Sequence, residues 1–345
     1  MARPDSSPTA VGREALLALL FSSIASTTSV PEMDTIRLGL EWFLNPDHTP
    51  LLLAKEHGWL EDAGLNLEVI EPEEHLDAVT AIEEGDMDVA VTEPLHLVED
   101  RAAGRPVVGF TRFLHTNGGV MYRPDAGIER PRDLAGTRLQ YPGAPGPGGP
   151  AIAGSMVEAD GGTYDPDAFT PVDYGFYHTD ALVDGEADAA TLAFYNFELV
   201  EAAHRGLEAE FFALKDWGIP DFCQLVLIST PSRLEERRDA FARLVEVLRR
   251  GIDLLHQRPA EARAVYARRT GADLDDEQTD AIFGATLPCF TYDLSMTAQY
   301  YEQLEAWMAG RNLIDDRPGK GAYWTNALAL PGPGTPSQET AAALR

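Results

Sequence analysis

The sequence is poor in cysteine, in lysine and in long apolar runs. Its 345 residues contain two cysteines, Cys223 and Cys289, which form no CxxC redox or zinc pattern. Both stand in apolar surroundings, as buried free thiols do, although a disulfide between them stays open at this level. Lysine occurs only at Lys55, Lys215 and Lys320, and every other basic residue is Arg. No stretch approaches the roughly 20 apolar residues of a membrane span. Positive charge is scarce throughout, with 27 basic against 56 acidic residues and a formal net charge of −29. That balance excludes a nucleic-acid partner, because a phosphate backbone demands a cationic face. It suits a surface kept soluble at high salt, where screening damps self-repulsion.

What the chain does have is ample apolar material, 44% of its residues. That is enough for two ordinary domains or one large bilobed one. The N-terminal 33 residues read as disordered or signal-like. EALLALLFSSIAS at 14–26 has the length of a signal-peptide core, but Asp5 and Glu14 weaken its basic start and no Cys follows to carry a lipid. If that segment acts as a signal the protein is extracytoplasmic; if translation starts at Met33 it is cytoplasmic. Residues 330–345, rich in Pro, Gly and Ser, read as an unfolded tail.

Between these ends strands and helices alternate. TIRLGLEW is strand-like, and HTPLLLAKEHGWLEDAG carries apolar residues at helical spacing and closes on Gly64. LNLEVIEP, MDVAVTEP, PVVGFTRFLH, GGVMYRP, RLQYPG, TPVDYGFY, DAATLAF and FCQLVLIST follow as strands, with short helices between many of them and a mainly helical stretch from 231 to 314. Such alternation predicts an α/β protein with mostly parallel sheets. We place lobe 1 at 34–122 plus 225–329 and lobe 2 at 123–224. A ligand then sits between the lobes at the carboxyl ends of the strands, near 42–48, 92–96, 115–118, 143–149, 174–178, 195–198 and 219–223.

One stretch in that set stands out. TLAFYNFELVEAA, at 191–203, puts three aromatic residues ahead of Glu198. The acid either starts a helix and points to water, or grips the edge of a flat nitrogen-rich ligand stacked on a ring. A carboxylate accepts from an exocyclic N–H and pairs with a protonated ring nitrogen, while Trp or Tyr supplies a flat apolar face.

LGLEWFLNPDHTPLLLAKEHGWLEDAGLNLEVIEP, with EEGDMDVAV after it, resembles the substrate-binding proteins of ABC importers of the nitrate, sulfonate and thiamine-pyrimidine type. The likeness covers roughly 35–325. It implies a two-lobed type II periplasmic-binding-protein fold, each lobe a mostly parallel sheet flanked by helices. WFLNPDH and FYNFE are closest to the thiamine-pyrimidine branch, which holds both formylaminopyrimidine-binding proteins and thiamine-pyrimidine synthases. The resemblance makes Glu198 the edge acid, with Trp42 and Tyr195 as stacking residues. Asn45, His48, Thr92, His96, Asn117, Tyr177, Asp221 and Phe222 are further candidates around the cleft. Asn45 or Asp47 is equally well placed as a helix N-cap.

The synthases capture pyridoxal phosphate on a Lys four residues before a consumed His. Here Thr92 stands where that Lys belongs, His96 takes the His position, and the synthases' Cys-rich run is reduced to Cys223. We therefore expect a receptor without catalytic residues, cofactor or metal, since His48, His96, His115 and His178 have no metal-ligand spacing. Its partners would be a small heteroaromatic ligand and an ABC permease, with the receptor itself a monomer. The alternatives are a synthase-like protein using His96, or a receptor of this fold for a sulfonate, nitrate or riboflavin-like compound. The charge excess itself makes a prediction. The thermal midpoint rises as salt is raised from about 0.1 to about 1 M, over which the Debye length falls from about 10 to about 3 Å; calorimetry across that range checks it.

Overall fold

In DTIRLG the alternate residues Ile36 and Leu38 are fully buried, and this strand, β1 (Asp34–Gly39), becomes the second of five in a sheet. The computed structural model describes residues 33–72, 77–315, 318 and 323–329. The expectations for the N-terminal segment before Met33 and for the 330–345 tail, and Lys320, lie outside the described residues. The remaining strands are β2 (Leu65–Ile70), β3 (Val89–Thr92), β4 (Val108–His115), β5 (Gly118–Tyr122), β6 (Arg138–Gln140), β7 (Thr170–Val172), β8 (Ala189–Phe194), β9 (Glu210–Ala213) and β10 (Gln224–Ser229). Helices α1 (Thr49–Glu56), α2 (Trp59–Asp62), α3 (Ala78–Glu84), α4 (Pro94–Ala102), α5 (Gly148–Ala159), α6 (His178–Val183) and α7 (Glu198–His204) separate many of them. After β10 come α8 (Pro231–Glu236), α9 (Arg238–Gln257), α10 (Pro259–Thr270), α11 (Glu277–Thr286) and α12 (Ala298–Gly310).

The two sheets share one plan. The first runs β2-β1-β3-β10-β4 and the second β7-β6-β8-β5-β9. In the first, β1 is parallel to β2 and β3, and β10 is antiparallel to β3 and β4. In the second, β6 is parallel to β7 and β8, and β5 is antiparallel to β8 and β9. Each sheet thus takes its one reversed strand as the chain arrives from the other sheet, and both belong to one compact unit.

The crossings between sheets run side by side. Thr116, between β4 and β5, donates its backbone N–H to the carbonyl of Cys223, just before β10, at 3.0 Å. A Cβ on Gly118 would stand 1.8 Å from the Cys223 Sγ, so the close approach of the crossings demands glycine there. The two cysteines are free, with Cys223 buried beneath this contact.

Several expectations change. β5, assigned from sequence to lobe 1, is in the second sheet, because the crossing is only Thr116 and Asn117 and makes no compositional break. The single helix expected to run to Gly64 is two, α1 and α2, broken where Gly58 turns left-handed at φ 68°. TPVDYGFY keeps only β7, and EFFA, a four-residue edge strand, carries β9. The C-terminal helices do more than complete the first half. α9 buries Phe241, Leu244, Leu248 and Ile252, and Gly251 meets the Pro50 carbonyl so closely that a Cβ would lie 2.3 Å from its oxygen. α12, by contrast, reaches the second half: the Trp307 indole donates to Ser155 on α5 at 3.0 Å, and Arg311 pairs with Glu158 at 2.6 Å.

Gly118→Ala is expected to cost about 2 kcal/mol or more through overpacking against the thiol, and Cys223→Ala in that background should restore part of it. Urea denaturation of wild type and the two variants measures both effects.

Candidate ligand site between the two sheets

The first functional side chains stand on the turn after β1. Asn45 caps it, its Oδ1 accepting the Asp47 N–H at 2.8 Å. The Asn45 N–H donates to His48 Nδ1 at 3.2 Å. Nδ1 therefore keeps its lone pair, and Nε2 carries the proton that is donated to Glu41 at 3.1 Å. The Asn45 Nδ2 is buried with no hydrogen-bond partner among the described residues, a donor left open in a region that is otherwise closely bonded.

Rings from both halves meet beside this turn. Trp42 lies 5.0 Å from Phe197, which follows β8, and 6.4 Å from Phe176, which precedes α6. Phe43 adds an edge contact to Phe197 at 5.9 Å. Phe176 is held near by the pair behind it: Gln140 bonds the buried His178 through Oε1 and donates Nε2 to the Gly175 carbonyl at 2.8 Å. Burial pushes the His178 imidazole down to about 4, so it is neutral.

Glu198 opens α7 directly after Phe197 and is 4% exposed, so it does not point to water. Its Oε2 accepts the Phe194 N–H at 2.7 Å. Burial pushes its carboxyl up to about 8, the backbone bonds oppose that, and the nearby Glu201 and Asp47 charges add to it. Asp47 is pushed up to about 7, again by burial, with His48 opposing and Glu41 adding. Burial also raises Glu93. Acids from both halves therefore converge where the rings meet. Such a site favours a guest that brings N–H donors or positive charge and disfavours an anion.

Other sequence candidates fall differently. Tyr195 is half exposed and turned edge-on to Phe211, and Tyr177 is exposed; the aromatic partners of Trp42 are the adjacent Phe43 at 4.2 Å and, from the second half, Phe197 and Phe176, none of them singled out from the sequence. Phe222 is 1% exposed and packs against Trp307, placing it in the core rather than on a cleft edge. Thr92 is buried at the end of β3. Asp221 lies at the crossing, accepting the Cys223 N–H at 3.1 Å, with His115 3.6 Å away. His96 is flanked by Glu99 at 3.1 Å and Glu93 at 3.7 Å. Burial works against its charge, but those carboxylates outweigh it and push it up to about 9. Asn117 accepts from Lys215 and offers its carbonyl to the Tyr195 N–H at 2.9 Å. Lys215 thus reaches the crossing, while Lys55 is exposed on α1. Among the described residues no cluster of three His, Cys, Asp or Glu is able to hold a metal, and no helix is long and apolar enough to cross a membrane.

Two sheets of this order, joined by paired crossings with side chains gathered between them, define a periplasmic-binding-protein fold. The chain belongs to the NMT1/THI5-like family, whose model matches residues 45–262. It is 29% identical over 251 residues to the formylaminopyrimidine-binding protein of Halalkalibacterium halodurans, covering 72% of this chain and 75% of that one. It is 26% identical over 295 residues to the 4-amino-5-hydroxymethyl-2-methylpyrimidine phosphate synthase of Legionella pneumophila, covering 84% and 91%. Among solved structures, the alkanesulfonate-binding protein SsuA of Xanthomonas axonopodis pv. citri superposes with a TM-score of 0.64 at 15% identity, over 83% of this chain and 96% of that one.

The two raised acids set the sign of a pH dependence. Between their ordinary values, 4.5 for Glu and 3.8 for Asp, and the raised ones near 8 and 7, the folded state holds more protons than the unfolded. The contribution of these two groups to stability is then fully present below about pH 4 and is lost as pH climbs through the raised values. Glu198→Gln should remove on the order of 2 kcal/mol of that fall, read from urea denaturation at about pH 5 and about pH 8.

Proposed function

We propose that this chain is a substrate-binding protein that takes an aminopyrimidine of the thiamine-precursor class, formylaminopyrimidine or hydroxymethylpyrimidine, and presents it to an ABC permease. One observation carries the reading: Glu198 is buried at the end of an aromatic cluster built from both halves, and the charges bearing on it are acidic. An aminopyrimidine suits that environment, since its amino group donates to one carboxylate oxygen while its ring nitrogen shares a proton with the carboxyl. Trp42, Phe197 and Phe176 offer the flat apolar neighbours such a ring needs. The resemblance to the Halalkalibacterium halodurans protein supports the same class. A sulfonate fits poorly, because it would meet Glu198, Asp47 and Glu93 in place of cations.

A biosynthetic reading has support in the likeness to the Legionella pneumophila synthase. Against it stand Thr92 at the place of the expected lysine and His96 clamped between two carboxylates.

Thermal shift and calorimetric titration test the proposal. Formylaminopyrimidine or hydroxymethylpyrimidine should raise the midpoint in a concentration-dependent way, and an alkanesulfonate should not. A charge-assisted bond contributes about 1.5–3 kcal/mol, so Glu198→Gln should weaken binding about ten- to a hundred-fold, and Trp42→Ala should weaken it as well. Equal affinity in wild type and both variants would remove the site assignment. Release of a pyrimidine with mass loss at His96, on incubation with pyridoxal phosphate and iron, would replace the receptor reading with the biosynthetic one.

A further inference from the structure

Asn196 lies between Tyr195 and Phe197 on the turn that carries Glu198, and it is 1% exposed. Its Oδ1 accepts from the Thr116 hydroxyl at 2.8 Å. Its Nδ2 donates to the Thr286 hydroxyl at 2.8 Å and approaches Asp47 Oδ1 at 3.4 Å. The amide thus joins three separate parts of the chain: the crossing, the end of α11, and the Asn45–His48 turn of the first half. Its orientation is determined. The Thr286 hydroxyl donates to the Ile282 carbonyl at 2.9 Å, so toward Asn196 it accepts, and the amide nitrogen must face it. Thr116 and Thr286 are buried with it, and α11 packs on both α7 and the 46–48 turn.

We propose that Asn196 is a positioning residue that couples the aim of Glu198 to closure of the two halves. The bonds made from this one side chain span the divide between the halves, two residues ahead of the acid. Separating the halves would strip the amide of Thr286 and Asp47 together and leave buried polar groups unpaired, a strong penalty for any partly closed state. When the bonds are made, the turn that sets Phe194 N–H against Glu198 is held in one place. The ligand contacts and the inter-half contacts are then made or lost together, as a differential affinity for the closed form requires. The affinity arm of the test rests on the proposed function; the closure arm does not.

Asn196→Ala, Thr286→Val and the double variant are compared with wild type. Small-angle X-ray scattering of the ligand-free proteins reads closure, urea denaturation reads stability, and titration with formylaminopyrimidine reads affinity. Both single variants should give more extended scattering profiles than wild type, and affinity should fall about ten-fold, the loss of one buried bond. The double variant should be little more extended than either single one, since both remove the same link. Thr286→Val keeps shape and removes the acceptor for Asn196 together with the hydroxyl's local bond to the Ile282 carbonyl, so it serves even if Asn196→Ala does not fold. Superimposable scattering of wild type and Thr286→Val, or effects that simply add in the double variant, would overturn the proposal. If formylaminopyrimidine fails to bind wild type while the variants still extend, the coupling stands and the ligand assignment falls.

Discussion

A carboxyl group held out of water, with no counter-ion among the described residues, is the constraint around which the rest of this molecule is arranged. Glu198 costs the fold free energy whenever it ionises, and its neighbours Asp47 and Glu201 add to that cost. Backbone N–H groups from its own turn offset part of it. The expense is tolerable because the surrounding structure is well fixed: a capped turn on one side, a bonded amide on the other, and rings between them. Moving the acid to the surface would be easy in a helix that begins at that residue. The fold instead turns it inward, which is intelligible where a guest supplies the missing partner.

The same economy of parts governs the connection between halves. Four segments that are distant in sequence (46–48, 116, 196 and 286) share one set of buried hydrogen bonds. The crossings themselves are joined by a backbone bond and by a contact tight enough to need Gly118 under Cys223. α12 adds a tie of a different kind, an indole and an arginine docked on α5. Packing on the first half alone would not require those two side chains.

Much of this was legible in the sequence, for physical reasons that also explain the failures. Period-two and period-3.6 patterns expose strands and helices, and most elements were found. FYNFE pointed to a special acid because three rings beside one carboxylate is an unusual surface. The resemblance pointed to Tyr195 as the stacking ring, whereas the structure sets Phe197 beside Trp42. Leu192 adopts φ 61°, left-handed for a branched side chain, and β5 opposite it is irregular at Gly119 and Val120. Tyr195 and Phe197 follow the end of β8 in a turn, where the strand's period of two no longer orders side chains, so Phe197 meets Trp42 while Tyr195 faces Phe211. Asn196 could not be singled out, since its three partners come together only once both sheets are assembled. The crossing was misplaced because two polar residues between apolar strands look like an ordinary hairpin turn.

The shortness of that crossing carries a mechanical implication. Thr116 and Asn117 offer about four soft torsions, and the neighbouring segment before β10 is bonded to them. With so little slack the halves have almost no freedom to slide past one another. Under the proposed function, capture of a guest would then act as a pivot, and a pivot displaces the far ends of each half in proportion to their distance from the axis. The outermost surfaces would then move most, so under the proposed function binding between the halves would become a change of outline that a large partner could sense without touching the guest.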